Sequence, residues 1–167
     1  MTIARRLIIL LAVPLTALVG LGVVTRLQLS KLEEASRYVA ENQIPGLAVI
    51  GNATRAFVYL RVNVRSYLLA TSPASRDKAR SEFDAGEAEL TRLLGHYADE
   101  LISDEQNRRM LGEYQDAARE WIAGGKQVMS LAEAGRRDDA AALLEGPVTM
   151  VGNRLNKASA SFKVWRK

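Results

Sequence analysis

The sequence predicts an all-α protein in which an N-terminal transmembrane helix continues into an antiparallel, up-down-up-down four-helix bundle. Near the N-terminus, the eighteen residues 7–24 carry no charge, which is at the short end of what a spanning helix needs. After this run, apolar residues recur at alternating steps of three and four, as on one face of a helix. The chain contains only four prolines in 167 residues, and no segment alternates apolar and polar residues for long enough to indicate a strand.

The N-terminal apolar run, residues 7–25, is predicted to be a membrane anchor. Arg5 and Arg6 precede it and Arg26 follows it. A cleaved secretory signal is the alternative, but its apolar region usually has only about 7 to 15 residues and leads into a small-residue cleavage site. The positive-inside tendency predicts that residues 1–6 are cytoplasmic and that everything after Arg26 lies outside the cytoplasm. We therefore expect one membrane crossing.

The remainder of the chain is predicted to form a membrane-proximal stalk and four bundle helices. The stalk covers residues 26–41 and the bundle domain residues 42–167. We expect the helices at about 42–71, 73–101, 104–134 and 138–167.

The helix boundaries follow from capping residues. Ser72, directly before a proline, is a favourable start for the second helix. Ser103 is followed three residues later by Gln, as in a capping box, and predicts the start of the third helix. Gly135 is typical of a helix end, and Asp138 or Asp139 can cap the helix after it. These signals predict where the helices begin and end independently of their apolar faces.

Folding four such helices up and down leaves the stalk without a partner from its own chain. Residues 26–41 span roughly 25 Å of helix, and they carry Leu27, Leu29, Leu32 and Val39. A second copy of the protein, or a continuation of the fourth helix, would cover these side chains.

Composition excludes several classes of function. The chain has no cysteine and one histidine, which argues against disulfides, thiolate chemistry and a zinc site. The formal net charge is +4, but without Arg5 and Arg6 the charges nearly balance, so we expect no nucleic-acid partner. No pair of carboxylates stands out as an acid and a base. We therefore expect no enzyme activity, no catalytic residues, no metal and no cofactor.

The candidate binding residues begin with two arginines on the first helix. Between residues 42 and 72 there is no acidic residue, whereas Arg55, Arg61 and Arg65 all lie there. Arg61 and Arg65 are four apart and share a helix face. Guanidinium groups suit carboxylates because they donate two parallel hydrogen bonds. The alternative is that both arginines pair with acids on the second or third helix, or extend into solvent.

With a rise of about 1.5 Å per residue in antiparallel helices, residues of the third and fourth helices lie at the same level along the bundle as this arginine pair. Thr149 and Asn153 on the fourth helix and Trp121 on the third come into range, although Trp121 lies on the apolar seam and fits a core position as well. We therefore expect a small carboxylate held by Arg61 and Arg65, near an interface between two first helices.

Three segments of the sequence resemble the four-helix-bundle sensor of bacterial methyl-accepting chemotaxis proteins. A basic start and one apolar helix lead into the Asn-Gln-Ile-Pro sequence at 42–45. The segment 61–65 is similar to the arginine-rich segment of the first helix in amino-acid receptors of that family. The segment 145–150 resembles their Pro-Thr segment on the fourth helix, although Val148 separates the proline from Thr149 here.

The resemblance implies a periplasmic sensor domain in the bacterial inner membrane. Receptors of that family continue into a second membrane helix, whereas a single crossing is expected in this chain. Such a module would bind an amino acid or organic acid, form a homodimer through the first helix and relay helix displacement in chemotaxis signalling. The output region of such receptors is expected to be absent from this chain. Two alternatives remain: a membrane-tethered helical scaffold that binds another protein, and the input domain of a histidine kinase or cyclase.

Overall fold

The all-α prediction is confirmed by the computed structural model. It describes residues 44–165 without a break, and residues 18, 20–22, 25–29, 32–33, 37 and 40 before them. No strand occurs among these residues. The chain divides into two compact units, Met1–Glu41 and Asn42–Lys167.

The structure describes only some residues of the N-terminal unit, and these lie at helical positions. Of the predicted membrane segment, residues 7–17, 19, 23 and 24 lie outside the described residues, as do residues 1–6. No helix among the described positions is both long and apolar enough to cross a membrane. Three stalk leucines, Leu27, Leu29 and Leu32, are exposed, and Val39 lies outside the described residues.

The second unit consists of three long helices and a fourth that is divided into three segments. The first three are α1 (Ile44–Leu69), α2 (Pro73–Glu100) and α3 (Glu105–Glu133). The last comprises α4 (Arg137–Leu143), a π-helical turn (Leu144–Val148) and α5 (Thr149–Trp165).

Local capping fixes where α2 and α3 begin. The Ser72 side chain accepts a hydrogen bond from the backbone N–H of Ser75, and the Ser75 hydroxyl is the acceptor for the Ser72 backbone N–H, which completes a capping box. α3 is capped by Asp104, whose carboxylate accepts from the backbone N–H of Asn107 at 2.8 Å. The predicted cap one residue earlier is therefore wrong. A carboxylate satisfies the positive end of the helix dipole better than a neutral hydroxyl does.

Gly135 ends α3 as predicted. Its φ of 78° lies in the left-handed region, where the absence of a Cβ removes the steric penalty. The N–H of Arg136 bonds the Leu131 carbonyl at 2.9 Å, and that of Gly135 bonds the Ala132 carbonyl at 3.1 Å, which is a Schellman motif. Neither expected aspartate caps the next helix: the cap is Arg136, without a side-chain cap bond.

The π-helical turn accommodates Pro147 inside the last helix. Proline has no N–H, so it cannot continue an α-helical hydrogen-bond ladder. Here the Thr149 N–H bonds the Leu144 carbonyl, five residues earlier, as in a π-helix. The last helix therefore passes through Pro147 without ending.

Side-chain contacts show that neighbouring helices run antiparallel. Thr54 of α1 bonds Ser159 of α5, and Ala70, just after α1, bonds Arg137 at the start of α4. Residue numbers thus increase along α1 in the direction in which they decrease along the last helix, so the two helices are antiparallel. The same order holds for α2 and α3 in the pairs Glu87–Lys126 and Arg80–Glu133.

Aromatic side chains fill the core between the helices. Trp121, 2% exposed, lies edge-on to Phe57 with ring centroids 4.9 Å apart and beside Phe83 at 6.5 Å. Phe162 of α5 contacts Tyr97 and Tyr114 edge-on. These edge-to-face arrangements are favourable for aromatic pairs. Apolar residues at steps of three and four along the helices supply most of the buried core, so helical periodicity identified it.

Close helix approach at Gly124 gives a test of this packing. A Cβ added to Gly124 would lie 2.8 Å from Cγ2 of Val148 in the π-helical turn, whereas one added to Gly112 of the same helix meets nothing within 4 Å. Both Gly→Ala changes gain helix propensity, but only Gly124→Ala overpacks the core. We expect Gly124→Ala to be less stable than Gly112→Ala by about 1–3 kcal/mol, measured by urea unfolding. Equal stabilities would show that α3 and the last helix are not closely packed.

Candidate ligand-binding site

A cavity of about 420 Å³ lies between the end of α1 and the first turns of the last helix. Small-molecule sites typically have volumes of about 300–1,000 Å³ and combine apolar walls with a few polar groups. Its lining residues come from both elements: Arg65, Leu68, Leu69, Arg137, Asp138, Ala141, Leu144, Glu145 and Thr149.

The two predicted arginines are separated by the structure. Arg65 lines the cavity and is exposed. Arg61 is half-buried outside the lining, with its guanidinium carbon 5.9 Å from the centroid of the Phe57 ring, so its charge is directed back along α1. Neither arginine forms an ion pair with any residue that the structure describes. The expected alternative, pairing with acids of the second or third helix, is therefore not observed.

Three further charged residues at the cavity were missed by the sequence reasoning. Arg137 donates from Nη2 to the Ala70 carbonyl at 3.4 Å and so ties the start of α4 to the end of α1. Asp138 and Glu145 are exposed and, within the described part of the chain, form no ion pair. Arg137 and Asp138 follow the turn at Gly135, and Glu145 lies about two turns further along the last helix. All three line the cavity together with Arg65.

Thr149 lines the cavity but also has a structural role. Its hydroxyl donates to the Leu144 carbonyl at 2.7 Å, the same carbonyl that receives its backbone N–H. The hydroxyl oxygen keeps a lone pair free to accept a hydrogen bond from a ligand. A π-helical turn contains one residue more than an α-helical turn. The turn at Leu144–Val148 therefore has room for Val148 between Pro147 and Thr149.

Trp121 and Asn153 lie away from the cavity. Trp121 belongs to the aromatic core, as its seam position allowed, and Asn153 is exposed on α5. With Arg61, they form the part of the predicted site that the structure does not bring together. Arg65 and Thr149 are the predicted residues that share the cavity.

The outer face of α1 is a second feature that suggests binding. Val58, Tyr59 and Val62 are 48%, 59% and 50% exposed, and Leu47 and Leu69 also face solvent. Arg55 and Arg65 are exposed on the same helix, which carries no carboxylate. Exposed apolar surface that continues along one helix is typical of an interaction face.

Comparison with known proteins identifies the family. Residues 1–161 match the family described as a four helix bundle sensory module for signal transduction. The chain belongs to this family, and the resemblance drawn from the sequence is confirmed. Neither curated proteins nor solved structures gave a significant match. Within the described residues, no group of three or more His, Cys, Asp or Glu side chains could hold a metal ion.

The Thr149 hydroxyl and backbone N–H both donate hydrogen bonds to the Leu144 carbonyl, and this gives a test of the role of Thr149. Thr149→Val keeps the shape and β-branching of the side chain but removes the hydroxyl donor. We expect a loss of about 0.5–1.5 kcal/mol in the free energy of unfolding, measured by urea denaturation. Thr91→Val, at an exposed position of α2, is the control and should change stability by less. If Thr149→Val is as stable as wild type, the hydroxyl does not support the π-helical turn.

Proposed function

We propose that this sensory module detects a small molecule with a carboxylate group, held by Arg65 in the cavity between α1 and the last helix. One observation carries the proposal: on the wall of a cavity of ligand size, the Arg65 guanidinium has no ion-pair partner among the described residues. A guanidinium can bind both oxygens of a carboxylate. The Thr149 oxygen is an additional acceptor on the same wall.

The charges around the cavity favour an amino acid over a dicarboxylate. Arg65 and Arg137 can receive a carboxylate, while Asp138 and Glu145 can receive an ammonium group. Leu68 and its neighbours Leu69, Ala141 and Leu144 provide an apolar surface for a side chain. A dicarboxylate would place its second negative charge close to the two acids, which is unfavourable.

We further propose that the module forms a homodimer through the outer face of α1. The exposed apolar side chains of α1 would be removed from water by a second copy, and burial of apolar surface is the dominant favourable term in association. Bringing two such faces together also brings arginines close to one another. The carboxylate of a ligand beside Arg65 would reduce that repulsion, so we expect ligand binding and dimerisation to favour each other.

The cellular setting of the proposal follows from the family resemblance and the charges that flank the N-terminal apolar run. We propose an extracytoplasmic module anchored in the bacterial inner membrane, without enzyme activity or cofactor, that relays helix displacement to a chemotaxis output. A histidine kinase or cyclase output would use the same input.

A second candidate function is a helical scaffold that binds another protein without a small ligand. The exposed apolar face of α1 favours it, because another helical protein could cover that face as well as a second copy could. An empty result in the ligand screen described next, together with a monomeric chain, would support the scaffold.

A thermal-shift screen tests the ligand site. We would screen amino acids, dicarboxylates and aromatic acids with the full chain, Arg65→Ala and the control Arg55→Ala, which alters an exposed arginine of the same helix. Ligand at about a hundred times its dissociation constant should add about 2.7 kcal/mol, a shift in Tm of about 5–10 °C for a chain of this size. We expect an amino acid to give the shift in wild type and Arg55→Ala, but not in Arg65→Ala.

Two results would contradict the ligand site. One is a shift of equal size in Arg65→Ala, which would place the ligand elsewhere. The other is the absence of any shift across the library in wild type. A lower Tm of Arg65→Ala without ligand would show that Arg65 contributes to folding.

Sedimentation equilibrium tests the dimer. Val58→Lys places a cation in the exposed apolar face of α1, and Ala88→Lys places the same cation on the solvated surface of α2. We expect wild type and Ala88→Lys to sediment as dimers and Val58→Lys as a monomer of unchanged helicity. A monomeric wild type, or a Val58→Lys variant that remains dimeric, would exclude this face as the interface.

A further inference from the structure

The charged groups of the cavity lie at two different heights along the bundle. Two contacts between α1 and the last helix define these heights: the Thr54 hydroxyl meets that of Ser159, and the Ala70 carbonyl accepts a hydrogen bond from Arg137. Because the two helices are antiparallel, positions between these contacts correspond in reverse order. Arg65 therefore lies level with about residue 145 of the last helix.

One end of the cavity thus holds Arg65 and Glu145, and the other holds Arg137 and Asp138. At the second end, Arg137 donates to the Ala70 carbonyl at 3.4 Å. The Asp138 carboxylate, in contrast, forms no ion pair within the part of the chain that the structure describes. Asp138 is therefore the group at this end that a ligand cation can pair with at no cost to an existing bond.

An apolar wall separates the two ends. Asp138 and Glu145 are seven residues apart on the last helix, which is two turns or roughly 10 Å along the axis. A ligand that reaches both acids has to cross this wall, and burial of an aliphatic chain there is favourable. The wall consists of four aliphatic side chains: Leu68, Leu69, Ala141 and Leu144.

We propose that the ligand of this cavity is a basic amino acid with an aliphatic stem, such as lysine. The inference rests on the proposed function and extends it from amino acids in general to one class of them. The α-carboxylate binds Arg65, and the α-ammonium group binds Glu145. The stem crosses the apolar wall and brings the terminal ammonium group to Asp138.

The length of lysine fits the spacing of the two acids. Six bonds join its two nitrogens, and an extended chain advances about 3.6 Å over three bonds, so the nitrogens lie roughly 7 Å apart. A charged hydrogen bond of about 2.8 Å at each end covers the remaining distance. A neutral aliphatic amino acid would leave Asp138 unpaired, and glutamate would bring a second carboxylate next to it, which is unfavourable.

Calorimetric titration of the full chain with three probes tests which acid binds which ammonium group. Lysine carries both ammonium groups, norleucine lacks the terminal one, and ε-aminocaproate lacks the one on the α-carbon. We expect lysine to bind wild type roughly tenfold to a hundredfold more tightly than norleucine, the usual contribution of a hydrogen bond to a charged group. Asp138→Asn should weaken the binding of lysine alone. Glu145→Gln should weaken that of lysine and norleucine but not that of ε-aminocaproate.

Asp139→Asn is the matched control. Asp139 is the next residue in the chain, but its carboxylate pairs with Arg136 at 2.7 Å and does not line the cavity. This variant should keep the preference for lysine over norleucine. Norleucine binding of wild-type strength in Asp138→Asn shows that this variant folds and keeps the rest of the site.

Three results would overturn the basic ligand. The first is that norleucine or glutamate binds wild type as tightly as lysine does. The second is a preference for lysine that persists in Asp138→Asn, and the third is its equal loss in Asp139→Asn. Norleucine binding that depends on Arg65 would leave the proposed carboxylate site in place, whereas no binding of any probe to wild type would contradict the site and the basic ligand together.

Discussion

The arrangement of this protein depends on α1 being apolar on two sides. One side packs into the core through Phe57 and Leu60, as bundle helices must. The other leaves Val58 and Val62 in contact with water, and the helix between residues 44 and 69 carries arginines but no carboxylate. An apolar face needs a second surface to cover it, and an uncompensated guanidinium favours an anion. The proposed dimer follows from the exposed apolar face of α1, and the proposed ligand from its arginines.

The last helix supplies the carboxylates that α1 lacks. Its first turns carry Asp138 and Glu145 to the end of the bundle where Arg65 lies, and the π-helical turn brings Thr149 to the same wall. The turn exists because Pro147 cannot donate a hydrogen bond. One residue with no N–H thus shapes the cavity wall through the π-helical turn that contains it.

The sequence predicted the helices well because their signals are local. Apolar steps of three and four identified the core, and Ser72 and Gly135 marked boundaries through their own backbone chemistry. The start of α3 was placed one residue early, because Ser103 and Asp104 are both good caps and only the folded turn selects between them. At the cavity, Arg65 could be anticipated from the lack of acids on its helix. The contributions of Arg137 and Glu145 depend on how the turn between α3 and α4 folds back, which no spacing rule reports.

The central claim is that the Arg65 guanidinium is unpaired in the free protein and becomes paired by a carboxylate ligand. Arginine side-chain NMR measures this directly, because the Nε–H proton of an unpaired guanidinium exchanges rapidly with water, and a carboxylate bonded to it slows that exchange. With the amino acid that gives the largest thermal shift, we predict that the Nε–H signal of Arg65 moves and sharpens while that of Arg55 stays unchanged. A saturated ligand complex in which the Arg65 signal does not change would contradict the account.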